Sequence, residues 1–423
     1  MRAAAPLLVG ALAFAAACGG SNSATPSPEA ADVDAIVDHV RRVHPDPWHD
    51  VSEDEFVAAA ADLKEGLPSL GRDETLVELM RLVALLGARD GHSGVFPLDG
   101  THRRRPRLYP VRLFAFADGV RVVGGMGEGA GLVGLRLVSV AGTPVERLAA
   151  EVAPLVPADN DASRRARTWQ WAVVAEVLHG LGLTPTAGAA TFRFARDDGG
   201  AVERTLAPVP AATWAAAFPD LFHPMVPQGL PQLPRPAFLA RRNDPDWTAK
   251  LAGGRVVYVA YNVTLGSSEA VAERIRRLSR GRAVRGIVLD LRHNPGGNNA
   301  AYASLLETLV ALGRRERVVV LTSRTTFSAA ANLLADLETR VPIRLVGEPS
   351  GGSPNLVGDP SPLGLHQTGW TVNVGTIWWQ KSKAGADDPR LAFEPDVRVP
   401  VRWADLAAGR DRALEVAVAE ATA

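Results

Sequence analysis

Two short stretches carry residue types that together suit acyl transfer. One is Thr322-Ser-Arg-Thr-Thr-Phe-Ser-Ala-Ala-Ala-Asn332, and the other is Gly286-Ile-Val-Leu-Asp-Leu-Arg-His-Asn-Pro-Gly-Gly297. The apolar run Val318-Val-Val-Leu321 delivers Ser328 to the start of a helix-like segment, Ala329 to Glu338. A hydroxyl at that junction meets unpaired backbone N–H groups and the positive end of a helix dipole. Both favour developing negative charge, as a nucleophile in acyl transfer requires. Taken alone, a serine there is as readily explained as a helix cap. The turn Asn294-Pro-Gly-Gly297 changes the balance, because glycines let a backbone approach a substrate closely. Gly296, Gly297 and Ala329 are the candidate oxyanion donors through their N–H groups. His92, in the loop Asp90-Gly-His-Ser-Gly94, is the preferred general base. His293, beside the glycine turn, is its rival and reads better as a residue lining the site.

Elements with the right periodicity stand around these residues. Ala31 to about Leu86 repeats apolar residues at three and four, which predicts a helical block ending in the loop that bears His92. A β-rich section follows, with strand-like runs at Val111–Phe116, Val120–Val123 and Gly134–Val140. Helical stretches come next around Val145–Val156 and Ser163–Leu181, then strands at Ala190–Arg196 and Glu203–Ala207. Phe218 to Pro236 is too rich in proline for regular structure. From Gly254 the chain alternates strand and helix, predicting a mostly parallel α/β sheet. The segment Gly129-Ala-Gly-Leu-Val-Gly134 matches a dinucleotide fingerprint, but a strand-like run follows where a helix is required. The chain therefore reads as a multidomain α/β protein. Residues 1–31 are an export signal and tether, 32–105 a helical domain, and 106–210 a β-rich module. A connector spans 211–250, and the catalytic α/β domain 251–423.

Composition narrows the function classes. The 423 residues hold 46 Lys+Arg and 46 Asp+Glu, which gives no global pull toward nucleic acid. The four lysines are Lys64, Lys250, Lys381 and Lys383; the other 42 bases are arginine. Met1 to Cys18 has one basic residue, a short apolar core and then small residues, as export signals do. A polar stretch, Gly19 to Glu29, continues as a flexible tether. The single cysteine excludes an intrachain disulfide. His44 and His49 are too loosely spaced for a metal site, so no metal or organic cofactor is expected.

The residues then reach a family. Asp90-Gly-His-Ser93, Val256–Asn262, Val288-Leu-Asp-Leu-Arg-His-Asn-Pro-Gly-Gly297, Thr326-Phe-Ser-Ala-Ala330, Val346-Gly-Glu-Pro-Ser-Gly-Gly352 and Glu394-Pro-Asp-Val397 occur in an order that resembles the tail-specific (C-terminal-processing) protease family. The nearer resemblance is to its tricorn-like and interphotoreceptor-retinoid-binding-like branch. It implies a crotonase-like β/α catalytic core, an N-terminal helical domain and a PDZ-like β-rich module. It implies a serine nucleophile at Ser328, a histidine at His92, and an acid shortly before the Pro-Asp motif. Asp388 is the first choice for that acid, with Asp387 or Glu394 as substitutes. Members of the Ser–Lys type carry a lysine after the Val-Gly-Glu motif, where this chain reads Gly351-Gly-Ser-Pro-Asn-Leu-Val-Gly-Asp359. A Ser–His arrangement therefore fits better, although sequence alone leaves Lys381 and Lys383 open. The N-terminus resembles a lipoprotein signal, with Cys18 as the lipidated residue and Ala15 where leucine is usual. The implied protein is an extracytoplasmic peptidase of the bacterial cell envelope, acting on peptides or proteins. A silent ligand-binding protein on the same scaffold and a non-peptidase acyl hydrolase are the alternatives.

Overall fold

The computed structural model describes residues 27–98, 100–218, 241, 244–281 and 283–423, and the element order below is that of the described residues. Cys18, the export signal and the proline-rich run of the connector lie outside them. Three helices open the fold: α1 (Ala30–Val43), α2 (Glu53–Gly66) and α3 (Arg72–Ala84). At α2 a capping box closes the first turn. The Ser52 hydroxyl accepts the Glu55 N–H at 3.2 Å, and Glu55 accepts the Ser52 N–H at 2.9 Å. The apolar stripe of α1 (Val33, Ile36, Val37, Val40) faces inward, as its spacing predicts.

The β-rich section holds β1 (Arg107–Leu108), β2 (Val111–Phe116), β3 (Gly119–Gly125), β4 (Arg136–Val140) and β5 (Thr143–Pro144). Helices α4 (Val145–Val152), α5 (Asp161–Trp171) and α6 (Ala175–Gly180) intervene before β6 (Ala190–Ala195) and β7 (Ala201–Leu206). The antiparallel order is β2-β3-β4-β6-β7, with β5 hung on β4. A two-residue strand β8 (Val209–Pro210) pairs β1, and helix α7 (Ala211–Ala217) follows it. One apolar core joins this section to the helical block: Ile36, Phe56 and Leu79 belong to the same cluster as Tyr109, Phe192 and Trp370. The sequence divides these two parts, whereas burial unites them.

The remaining strands are β9 (Asp246–Leu251), β10 (Val256–Tyr261), β11 (Gly286–Asp290), β12 (Arg317–Thr322), β13 (Ile343–Gly347) and, later, β16 (Val397–Arg398). They form one sheet in the order β16-β13-β12-β11-β10-β9, parallel except for β9. Crossover helices α8 (Glu269–Leu278), α9 (Ala303–Leu312) and α10 (Ala329–Arg340) link the inner strands. Alternation within each strand feeds two cores. Val257, Ile287 and Val320 pack on the crossover-helix side, while Tyr258, Val288 and Val319 pack with Ala413, Ala417 and Ala421 on the other. Those alanines belong to the last helix, α12 (Arg412–Thr422), which follows the short α11 (Trp403–Ala407).

A long hairpin, β14 (Asn355–Gly364) with β15 (Thr371–Gln380), leaves this sheet and returns to the helical block. It pairs Asn373 with Gly94 through N–H···O bonds of 2.8 and 2.9 Å. The Val357 N–H reaches the Arg89 carbonyl at 2.8 Å, and the Gly375 N–H reaches the Ser93 hydroxyl at 2.8 Å. The loop of His92 is thereby stitched to the parallel-sheet half of the chain.

The C-terminal helix is fixed by a buried charge group. Arg292 donates to Asp290 at 2.6 Å and to Asp411 at 2.8 and 2.9 Å, and Asp290 also accepts the Tyr258 hydroxyl at 2.7 Å. Replacing Arg292 with alanine strands two carboxylates. We expect Arg292→Ala to lower unfolding free energy by about 3–5 kcal/mol in denaturant titration.

Candidate active site

Ser328 stands between β12 and α10, at the end of a loop held by several hydrogen bonds. The Thr326 hydroxyl donates to the Leu291 carbonyl at 2.8 Å, and the Phe327 N–H to the Asn294 carbonyl at 3.1 Å. The Thr326 carbonyl accepts N–H groups from Gly351 and Gly352 at 3.0 and 2.9 Å. So held, Ser328 adopts φ 54° and ψ −127°. A non-glycine residue there carries strain of roughly 1–3 kcal/mol, which the surrounding bonds must offset. Its hydroxyl makes no cap bond to α10. It lies 3.1 Å from Nε2 of His92. Helix capping is therefore not what this side chain does.

The glycine turn packs directly against the serine. A Cβ on Gly296 would stand 2.6 Å from the Ser328 Cβ and 2.9 Å from the Ala329 nitrogen, at φ 105°. Gly297 has φ 138°, and a Cβ there would meet the Thr264 carbonyl oxygen at 2.2 Å. The expectation for Gly296 needs correction: its N–H donates to Oδ1 of Asn294 at 2.9 Å. The asparagine folds back on its own turn, so that donor is taken. Among the described residues the N–H groups of Gly297 and Ala329 meet no protein acceptor. These two remain available to an oxyanion.

His92 is half-buried, and neither flanking helix nor strand holds its ring. Instead the ring stacks on Phe327, with centroids 4.6 Å apart and planes 26° from parallel. Burial, and then the charge of Arg167, push its pKa down to about 4; Asp90 and the Val357 carbonyl oppose this. The resting ring is therefore neutral at physiological pH. In the tautomer with its proton on Nδ1, Nε2 can accept a hydrogen bond from the Ser328 hydroxyl. Nδ1 itself makes no regular hydrogen bond among the described residues. Asp90 is engaged with His44 at 3.0 Å in a pair fully removed from solvent, and accepts the Ser93 N–H at 3.2 Å. Ser93 stabilises the turn and the hairpin contact.

Asp388, the expected acid, is not on His92. Its carboxylate takes the Arg390 guanidinium at 2.8 to 3.1 Å and the Arg390 N–H at 2.9 Å, with the Ser382 hydroxyl also donating to it. Charge-assisted bonds from Arg390, two residues on, occupy this carboxylate. Asp387 is exposed, and Glu394 is exposed and paired with Arg398. Lys381 and Lys383 pair with Asp336 and Glu338, so neither serves Ser328. His293 is buried, and its charge interacts with Asp290.

Two residues around the site carried no signal in the sequence: Asp159 and Arg167. Asp159 and Arg167 come from the β-rich section, far from any motif. Asp159 accepts the Gly91 N–H at 2.7 Å, and Arg167 donates to the Gly91 carbonyl at 2.7 Å. Among the described residues no group of histidine, cysteine or carboxylate side chains is arranged to hold a metal.

No family model and no curated protein matches the sequence. Solved structures do share the fold. Mature CPAF complexed with lactacystin superposes with a TM-score of 0.62 at 14% identity, over 93% of this chain and 97% of that one. Mature CPAF alone gives 0.62 at 15% identity, over 93% and 96%. A photosystem II D1 C-terminal processing protease is more distant, at 0.40 and 16% identity over 91% and 99%, and adds no weight.

The Asp388 geometry has a measurable consequence. Hydrogen bonds from Arg390 hold its carboxyl well below the usual carboxylate range. Such a group adds stability above its unfolded value, and that stability is lost as pH falls through the folded value. Asp388→Asn should therefore lower the thermal midpoint at neutral pH and flatten its decline in acid. The reactivity of Ser328 should stay at the wild-type level.

Proposed function

We propose that this chain is a serine peptidase of the tail-specific protease family, hydrolysing peptide bonds through an acyl-enzyme. The observation that carries this reading is the 3.1 Å contact between the Ser328 hydroxyl and His92 Nε2. A strained backbone presents that hydroxyl, and no structural bond claims it. The CPAF-like fold over 93% of the chain supports the family assignment suggested by the motifs. On this reading the parallel sheet is a crotonase-like core, and the β2–β7 section is a PDZ-like module.

His92 removes the Ser328 proton as the hydroxyl attacks a peptide carbonyl, and returns it to the leaving amine. The oxyanion is received by the N–H groups of Gly297 and Ala329, the latter at the positive end of α10. Water then repeats the sequence on the acyl-enzyme, again with His92 as base. The protein reaches the cell envelope through its N-terminal signal and is held to the membrane by lipid on Cys18. A silent binding protein is the second reading, and it draws on one observation: Nδ1 of His92 has no carboxylate partner.

A fluorophosphonate probe on the purified protein separates the two. Wild type should label, while Ser328→Ala should not; His92→Ala should slow labelling roughly 100- to 10,000-fold. Folded wild type that resists the probe would favour the binder. Lactacystin, which CPAF holds in one solved structure, is a second probe.

The pH profile follows from the His92 environment. The reaction needs the neutral ring, and burial with the Arg167 charge lowers the pKa to about 4. Labelling should therefore stay near its plateau as pH falls through 6.5, the ordinary histidine value, and decline only below it. An acid limb centred at 6.5 would contradict the packing described for His92.

A further inference from the structure

We propose that Arg167, together with Asp159, is a positioning residue for His92: the pair clamps the peptide of Gly91 from both sides and, through Phe327, fixes the plane of the imidazole. This deepens the peptidase reading and rests on the Ser328–His92 site. The clamp has several independent members. Asp159 takes the Gly91 N–H through Oδ1 at 2.7 Å and the Ser353 N–H through Oδ2 at 3.0 Å. Its own carbonyl accepts the Arg89 N–H at 3.0 Å. One nitrogen of Arg167 donates to the carbonyls of Gly91 and Pro157, at 2.7 and 2.8 Å. Both polar groups of the residue before His92 are thus held by side chains, one from the segment before α5 and one from α5 itself.

The arginine also acts through an aromatic ring. Its guanidinium carbon lies 4.3 Å from the Phe327 centroid, and Phe327 stacks on His92. Phe327 immediately precedes the nucleophile, so one cation braces base and nucleophile together. Glycine is required at position 91 for this fit. A Cβ there would meet Asp159 Oδ1 at 2.7 Å and the Phe327 ring at 3.0 Å.

The charges that face His92 come from each neighbouring element. Arg167 approaches from α5. Asp90, tied to His44, lies on the loop of His92, and Asp359 is on β14. Arg167 is the cation among these, and it remains cationic at about 10 despite burial. It favours the neutral ring, whereas Asp90 and Asp359 favour the charged one. Asp159 is pushed up to about 7 by burial, against the pull of the Ser353 and Gly91 N–H bonds and of Arg167.

Two substitutions separate holding from charge. Arg167→Lys keeps the cation and loses the planar two-carbonyl grip. It should slow fluorophosphonate labelling while leaving the pH profile in place. Arg167→Gln removes the cation, and it should move the acid limb upward by about one pH unit. The same shift should appear in the His92 ring resonances, titrated by NMR in a Ser328→Ala background and assigned with His92→Gln. A purely structural arginine would lower labelling evenly at every pH and leave the titration unmoved. If the Gln variant does not fold, the Lys variant still decides: wild-type labelling there overturns the clamp. An unshifted His92 titration in folded Arg167→Gln overturns it as well. Wild type that never labels would sink the peptidase reading, while the titration would still test the clamp.

Discussion

The site depends on one hydrogen bond that nothing local can make. Ser328 and His92 are 236 positions apart, and closing so long a loop has an entropic cost that a single neutral hydrogen bond of about 1 kcal/mol cannot offset. The contact exists because larger surfaces bring its ends together. The helical block and the β-rich section share one core, and β14 and β15 reach from the parallel sheet into that assembly. Three backbone–backbone bonds and one to the Ser93 hydroxyl, from this hairpin to residues 89–94, then convert proximity into register. The geometry of this contact is a by-product of burial elsewhere.

Within the parallel sheet, the chemistry follows from how strands end. β11 and β12 are adjacent and parallel, so the loops after them emerge at the same edge. That is why Asn294-Pro-Gly-Gly297 and Ser328 meet, although Gly297 and Ser328 are 31 positions apart. Asn294 organises the junction: its carboxamide accepts the Gly296 N–H and donates to the Tyr261 carbonyl, while its backbone carbonyl takes the Phe327 N–H. One buried side chain thus sets the spacing between the glycine turn and the nucleophile. Two glycines are needed for different reasons: Gly296 because Ser328 leaves no room for a Cβ, and Gly297 because Thr264 does not.

What was legible in the sequence follows the range of the interactions. The helices and parallel strands showed through, because their burial imposes periods that residue types record. Ser328, His92 and the glycine turn stand out in the sequence because unusual residues flank them, and the fold brings Ser328 and His92 within 3.1 Å. The β14–β15 hairpin did not. Gly358, Pro360, Pro362 and Gly364 interrupt β14 with residues that normally argue against a strand, and only pairing with β15 stabilises it. The acid partner was misjudged for a related reason. Asp388 sits at the expected place in the chain, yet Arg390 two residues on captures it, and sequence order does not weigh such competition. Asp159 and Arg167 were invisible, since their roles exist only after two separate packing events bring them to Gly91.

On the mechanism proposed above, with His92 as base, the electrostatics of His92 assign different work to the two halves of the site. A base with a pKa of about 4 is fully in its neutral form at pH 7, so none of the protein is lost to an inactive protonation state. Its weakness appears when the imidazolium must form, because Nδ1 has no carboxylate to share the charge. The field of Asp90 and the Val357 carbonyl offset part of that cost, and Arg167 adds to it. The balance must then come from the opposite charge. As the carbonyl oxygen becomes anionic, it forms beside the N–H groups of Gly297 and Ala329 and the positive end of a 12-residue helix. An imidazolium and an oxyanion created in one step also stabilise each other across a few ångströms, more strongly where water is excluded. In this site the missing carboxylate shifts the demand onto the serine side, where the strained backbone and the two glycines are concentrated.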